Sequence, residues 1–400
     1  MTNILIISDT DSRIKWSRML AESLSNYYST SSVRFMYRGN ESYDFSILDS
    51  KKSWNKLQDA NILIIALGGG ANHKYIRRVR DIFELSKFSR RPIIITGYNG
   101  ITDPYNIHSL NCRLGSDIVC VNTLFDYEVF NDYLKKLDYK QSPIHLLGFL
   151  QNTSTATIKF FAKYEPYERK VVFIVQPDVP KSLTERFYII EKLVELAKKY
   201  PSWGIFIKAR SQVGENNVTH QESHHYEIIY KLFKQLDNIH FIYGDMLPIL
   251  DSLENTDLVL SIGSTVIMHC LKRGIHVGVI SDFGVRVDYG TEHFVGSNIF
   301  IEFDEISNLT IQRLIPNQKW MNKYINFNDD FTTSNLYKKI EVLFEKQEFL
   351  GNILPFPEMI YDDCFAKYLS SRYSLKKSER IKFKFLKNYP ILSGFLTRFK

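Results

Sequence analysis

Short apolar runs of strand length alternate along this chain with longer stretches of helical periodicity. Ile4–Ser8, Ile62–Leu67, Ile93–Gly97, Ile118–Val121 and Ile144–Phe149 are near-continuous Ile/Leu/Val segments, and helical patterns such as Arg13–Leu24 and Tyr75–Leu85 lie between several of them. Strands that are apolar on both faces and separated by helices predict a parallel sheet covered on both sides. The pattern pauses in the polar stretch Gln151–Lys170 and then restarts at Val171–Gln176, Ile205–Lys208, Ile239–Tyr243, Leu258–Ile262 and Val277–Ile280. Ser182 and Glu185 read as a capping box opening a helix whose Phe187, Ile190, Leu193, Val194 and Ala197 make one apolar stripe. After about residue 305 the strand signal fades into helical, aromatic-rich sequence. The expectation is an α/β protein with one doubly wound sheet over 1–160, a second over 165–305, and a helical extension over 306–400. Two such sheets facing each other leave a cleft between the carboxyl ends of their strands, where sheets of this kind bind ligands.

Length and composition agree with that division. Four hundred residues are too many for one ordinary core, and 44% apolar with 24% charged residues excludes a disordered chain. No apolar run approaches the roughly 20 residues of a membrane-spanning helix. The opening MTNILIISDTDS lacks the basic segment of a secretory signal. Four cysteines, far apart and without a CxxC pair, argue against a disulfide scaffold or zinc finger and predict a cytoplasmic protein.

The charge is uneven. Arg372–Lys400 carries nine Lys/Arg against the single acid Glu379, a net +8 of a whole-chain +7, which leaves the first 371 residues at −1. The basic residues are interleaved with Phe383, Phe385, Leu386, Tyr389, Ile391 and Phe395, a composition suited to an anionic membrane surface. A terminal helix packed on the body with a solvated basic face is the alternative. The near-neutral body lacks the broad basic footprint of a nucleic-acid-binding protein.

Chemistry is expected in the loops that leave the strands. Ser8-Asp9-Thr10-Asp11-Ser12 follows the first strand. Two carboxylates on one tight loop can keep each other from full ionisation and leave one as a base for an acceptor hydroxyl; Asp11 or Ser12 also suits a helix cap. Gly68-Gly69-Gly70 and Gly97-Tyr98-Asn99-Gly100 end later strands without the spacing of a nucleotide-binding fingerprint, so each also reads as a flexible turn. In the second half, Lys208 and Arg210 alternate at a strand end, and Arg210 could fork onto a phosphate. His220 could protonate a leaving phosphate, with Glu215 or Glu222 to orient it. Gly263-Ser264-Thr265 ends an apolar strand where a helix starts, a place for an anion or for a plain cap. Asp9-Thr10-Asp11 spells DxD, yet Lys208, Arg210 and backbone amides can supply the positive charge at a phosphate, so no metal is expected.

Several stretches together, SDTDSRIKW, Gln176-x-x-Val179-Pro180, KARSQVGENNVTH, Gly263-Ser264-Thr265-Val266 and Asp282-Phe283-Gly284-Val285, resemble bacterial glycosyltransferases of surface-polysaccharide (capsule and lipopolysaccharide) biosynthesis. Those enzymes have the GT-B architecture, two Rossmann-like domains facing a cleft. The Ser-Thr loop and the basic/His loop before it are also similar to those of bacterial sialyltransferases and capsule polymerases. The resemblance implies Asp9 or Asp11 as the base. It implies His220, Lys208, Arg210, Ser264 and Thr265 at the donor, joined by Glu215 and Gly263 from the reading of the loops. Two departures stand out: His269 occupies the neighbourhood of the usual ribose-binding glutamate, and Ala209-Arg210 that of the sialyltransferase His-Pro pair.

The implied activity is inverting, metal-independent transfer of a sugar onto a bacterial surface glycan or glycolipid. The implied donor is a nucleotide sugar, CMP-linked and acidic before UDP-linked, acting as co-substrate with no bound cofactor. A sugar-nucleotide 2-epimerase of the same fold and a non-catalytic scaffold of a polysaccharide assembly complex are the alternatives.

Overall fold

The computed structural model describes residues 2–28, 31–37, 57–85, 88–103, 105–150, 167–209, 212–215, 222, 224–243, 257–325 and 333–359. Arg210, His220 and the basic tail Arg372–Lys400 lie outside the described residues, as does most of the linker Gln151–Lys170.

Two six-stranded parallel sheets account for the architecture. The first runs β2-β1-β3-β4-β5-β6, from β1 (Thr2–Ser8), β2 (Ser31–Tyr37), β3 (Ile62–Ala66), β4 (Ile93–Gly97), β5 (Ile118–Val121) and β6 (Ile144–Leu146). The second runs β12-β11-β10-β7-β8-β9, from β7 (Arg169–Ile174), β8 (Trp203–Lys208), β9 (Ile239–Ile242), β10 (Leu258–Ser261), β11 (Val277–Ile280) and β12 (Phe300–Ile301). Strands β3, β4 and β5 are buried at every residue, as their unbroken apolar runs require of a sheet covered on both faces.

Helices α1 (Asp11–Ser25) and α2 (Gly69–Leu85) cover opposite faces of the first sheet, and α3 (Leu124–Lys136) closes its β5–β6 end. On the second sheet α4 (Leu183–Lys199) and α5 (Tyr226–Tyr230) lie on one face. The other face is covered by α6 (Val266–Lys272) and α7 (Gln318–Tyr324).

Beyond residue 305 the described residues are largely helical, and they pack on both lobes. Ile311, Trp320 and Met321 join the cores of the second lobe. Leu336 and Ile340 of α8 (Thr333–Leu350), with Leu354 and Met359 after it, return to the first. Helix α4 also differs from its expected stripe. Ser182 caps it through the Glu185 amide at 3.5 Å, but the Glu185 carboxylate turns away to accept from the Tyr289 hydroxyl at 2.6 Å. Phe187 is 38% exposed against Phe233, and Arg186 and Ile189 take the interior positions beside Ile190, Leu193 and Val194.

The two sheets meet at their carboxyl ends. The Ile101 amide, in the loop after β4, donates to Thr265 Oγ1 at 3.3 Å. Lys272 Nζ donates to the Phe149 carbonyl at 3.0 Å, and Tyr324 of α7 packs against Phe125 of α3 with ring centroids 5.5 Å apart. Among the described residues no helix is long and apolar enough to cross a membrane.

Candidate active site

Strand β1 delivers Asp9 to the rim of the first lobe. Its Oδ1 accepts from Arg13 Nη1 at 2.7 Å and its Oδ2 from the Gly68 amide at 3.3 Å. The charge partner of Asp9 is therefore Arg13, one helical turn on, and not a second carboxylate. Asp11 is the first residue of α1, and the cap position is held by Thr10, whose side chain makes no capping bond. The cap position thus belongs to neither Asp11 nor Ser12, because α1 begins at Asp11, two residues before Arg13. Gly69 and Gly70 likewise belong to the first turn of α2, where a flexible turn was the alternative expectation. Gly97 is required by packing, because a Cβ there would stand 2.5 Å from the Trp16 ring. Asn122, after β5, fixes the next loop by donating to the Tyr98 and Gly100 carbonyls at 2.9 and 2.8 Å.

The second lobe supplies the facing rim. Lys208 ends β8, is 4% exposed, and donates to the Ala209 carbonyl at 2.6 Å. Glu215 is exposed, and its carboxylate closes a local turn by accepting from the Gln212 amide at 3.0 Å. The Gly263 amide donates to Gln176 Oε1 at 2.9 Å, and Ser264 Oγ accepts from the Val266 amide at 3.2 Å. Thr265 faces the other lobe through its bond to Ile101. The fold thus brings Gly263–Thr265 to the loop after β4, while Asp9 stands at the β1–β3 ends. Asp282 has a structural partner set: it accepts from the Tyr188 hydroxyl at 2.7 Å and from the Phe303 amide at 3.1 Å.

Gly263 cannot be replaced without moving backbone, because a Cβ there would lie 2.0 Å from the Tyr289 carbonyl oxygen. Gly263→Ala is expected to lower stability in urea unfolding by about 1–3 kcal/mol. Gly70→Ala, where a Cβ meets nothing within 4 Å, should leave stability unchanged or raise it by up to about 1 kcal/mol. Equal stability of the two variants would contradict the close approach of the 261–265 and 287–290 segments.

Three titratable groups along the seam are displaced by burial. Asp126, in the first turn of α3, is 1% exposed, and burial pushes its carboxyl up to about 7. His269 is pushed down to about 4, first by burial and then by Arg273 and Lys272, and it packs edge-on against Phe149. His293 is lowered by burial, with Glu292 and Asp103 opposing the shift. Neither Asn122 nor Asp126 stands out in the sequence; the Thr123-x-x-Asp126 spacing signals only a helix start, and Asp126 does donate its amide to Thr123 Oγ1 at 2.9 Å. Among the described residues no three His, Cys, Asp or Glu side chains are grouped to hold a metal ion.

The sequence matches the family described as "Putative glycosyltransferase (DUF6716)" over residues 4–343, a span that takes in both sheets. No curated protein matches. Among solved structures the chain is similar to a UDP-GlcNAc 2-epimerase from Neisseria meningitidis bound to UDP-GlcNAc, at 16% identity and TM-score 0.51, covering 86% of this chain and 100% of that one. It is also similar to a protein from Listeria monocytogenes described as a putative UDP-N-acetylglucosamine 2-epimerase, at 10% identity and TM-score 0.57, covering 90% and 99%. The UDP-GlcNAc 2-epimerase of Methanocaldococcus jannaschii is similar at 11% identity and TM-score 0.51, covering 86% and 100%. At such identities the likeness is one of fold: two Rossmann-like lobes of the GT-B type.

Proposed function

The chain belongs to the DUF6716 glycosyltransferase family, and from that premise we propose that it is an inverting, metal-independent transferase moving a sugar from a nucleotide donor to a glycan or glycolipid acceptor. The observation that carries this reading is the meeting of the two carboxyl-end rims at Ile101 and Thr265, within a span that the family match covers end to end. A donor held on one rim would face an acceptor held on the other.

In this reading Asp9 or Asp11 takes the proton from the acceptor hydroxyl, whose oxygen attacks the anomeric carbon as the bond to the nucleotide phosphate breaks. Lys208, Arg210 and the Gly263–Thr265 loop meet the charge that develops on the departing phosphate, and His220 returns a proton to it. Glu215 would orient His220, five positions on in the sequence. The donor we propose first is a CMP-linked acidic sugar, after the resemblance of the basic/His and Ser-Thr loops to those of sialyltransferases. A UDP-sugar is second, since UDP-GlcNAc is what the similar Neisseria structure holds. The acceptor would be a surface glycan of the capsule or lipopolysaccharide kind, reached from the cytoplasmic side of the inner membrane with the Arg372–Lys400 tail at the lipid surface.

A thermal-shift panel of CMP, UDP, GDP and their sugars tests the reading. A ligand at 100 times its dissociation constant should stabilise the protein by about 2.7 kcal/mol. The nucleotide sugar that binds is then incubated with and without acceptor glycan. A transferase leaves it intact until acceptor is added, whereas conversion without acceptor would establish the epimerase instead. A panel in which nothing binds overturns both.

A further inference from the structure

Arg186 lies in the first turn of α4, where a lone cation on an amphipathic helix ordinarily points to water. Here it is 0% exposed and all five of its N–H donors are used. Nε donates to the Pro180 carbonyl at 2.7 Å, and Nη1 to Glu222 Oε1 at 2.5 Å and the His224 carbonyl at 2.7 Å. Nη2 donates to the Pro177 carbonyl at 2.5 Å and the Gln176 carbonyl at 3.3 Å. The Tyr226 ring lies 4.9 Å from the guanidinium carbon, and the Glu222 side chain is only 2% exposed.

A buried ion pair of this kind adds little to stability compared with apolar side chains of the same volume, because both charges must leave water. Its distinctive property is geometric, since a planar fork with five directed donors fixes what it touches. What it touches is the backbone of two loops at the carboxyl ends of the second sheet. Gln176–Pro180 leaves β7, and Glu222 and His224 stand just before α5. A third loop is reached through Gln176, whose side chain accepts from the Gly263 amide at 2.9 Å.

We propose that Arg186, acting through Glu222 and Gln176, is the positioning residue of the donor half-site, setting the loops after β7 and β10 and the entry to α5 in the one arrangement that receives the nucleotide's phosphate. It touches no reacting atom. The inference rests on the transferase reading, and its test separates the two.

The double variant Arg186→Met/Glu222→Leu removes both buried charges but leaves the Pro180, His224, Gln176 and Pro177 carbonyls without their donor, so it is expected to fold and to melt below the wild type. Its affinity for the nucleotide that shifts the wild type most, among CMP, UDP and GDP, should fall by about ten- to hundredfold, the range that follows loss of an orienting contact behind a binding group. The KM for donor should rise with the KM for acceptor unchanged. Arg186→Lys, which keeps the charge but not the fork, should weaken donor binding in the same direction if the double variant does not fold. A folded variant of either kind that binds the nucleotide as the wild type does overturns the positioning role while leaving the transferase reading intact. A wild type that binds none of the three overturns both.

Discussion

Asp117→Asn is expected to destabilise the protein by about 3–5 kcal/mol, the cost of leaving a buried charge without its partner. Asp117 and Arg91 have side chains 3% and 0% exposed. The guanidinium forks onto both carboxylate oxygens, at 2.7 and 2.8 Å, and the same carboxylate accepts from the Ile94 amide at 2.8 Å. Arg91 also holds the end of the described chain: Nε donates to the Leu354 carbonyl at 2.7 Å, Nη2 to the Pro355 carbonyl at 3.0 Å, and the Phe356 ring lies 4.2 Å from its guanidinium carbon. Loss of the carboxylate charge should therefore also loosen residues 351–359. Urea unfolding gives the first quantity, and faster proteolysis within that segment reports the second. Arg91→Met/Asp117→Leu should recover only part of the loss in urea, since it removes the uncompensated charge but leaves the Leu354 and Pro355 carbonyls and the Ile94 amide without their partners. A loss below about 1 kcal/mol for Asp117→Asn would show the pair to be wetter than the structure has it.

What the sequence revealed and what it hid follow from one physical difference. Ile93–Gly97, Ile118–Val121 and Val277–Ile280 are bounded in the sequence as they are in the structure, because strands buried on both faces cannot admit a polar residue without losing hydrogen bonds or solvation. Among the described residues strand β2 lies at the sheet edge and pairs only with β1. Ser31, Ser32 and Arg34 break its apolar run, so the criterion that finds interior strands passes over it. Strand β12 has only two residues. The apolar positions of α8, such as Leu336 and Ile340, show that it packs, but periodicity says nothing of which lobe receives it. Likewise the rims were legible, because topology puts ligand-binding loops at carboxyl ends, whereas most charge partners were not. Asp9 and Arg13 stand four apart and could be paired on paper; Arg186 and Glu222 are separated by 36 positions, and only the fold joins them.

The contrast between Asp126 and its amide should be read in the pH dependence of stability. Asp126→Asn is expected to gain on the wild type by about 2 kcal/mol as the pH is raised from 5 to 7, at close to 1.4 kcal/mol per unit over most of that interval. Burial raises this carboxyl to about 7 from an ordinary 3.8, with Asp103 adding to the shift and hydrogen bonds from Thr123 opposing it. Between those two values the unfolded chain has released the proton that the folded chain still holds. Folding then becomes less favourable with each increment of pH, so the contribution is full below about 4 and has gone by just above 7. Asn keeps an oxygen for the start of α3 and has no proton to release, so the variant lacks this slope. His145 and His269, both lowered to about 4 by burial, give slopes of the opposite sign in acid. They do so equally in both proteins and vanish from the difference. The relevant measurement is urea unfolding of the pair at pH 5, 6, 7 and 8. Because Asp126 is covered where Phe125 meets Tyr324 of the other lobe, its ionisation would act on the seam between the lobes. A difference that stays flat across those four pH values would mean that water already reaches the carboxylate, and that the seam is open in solution.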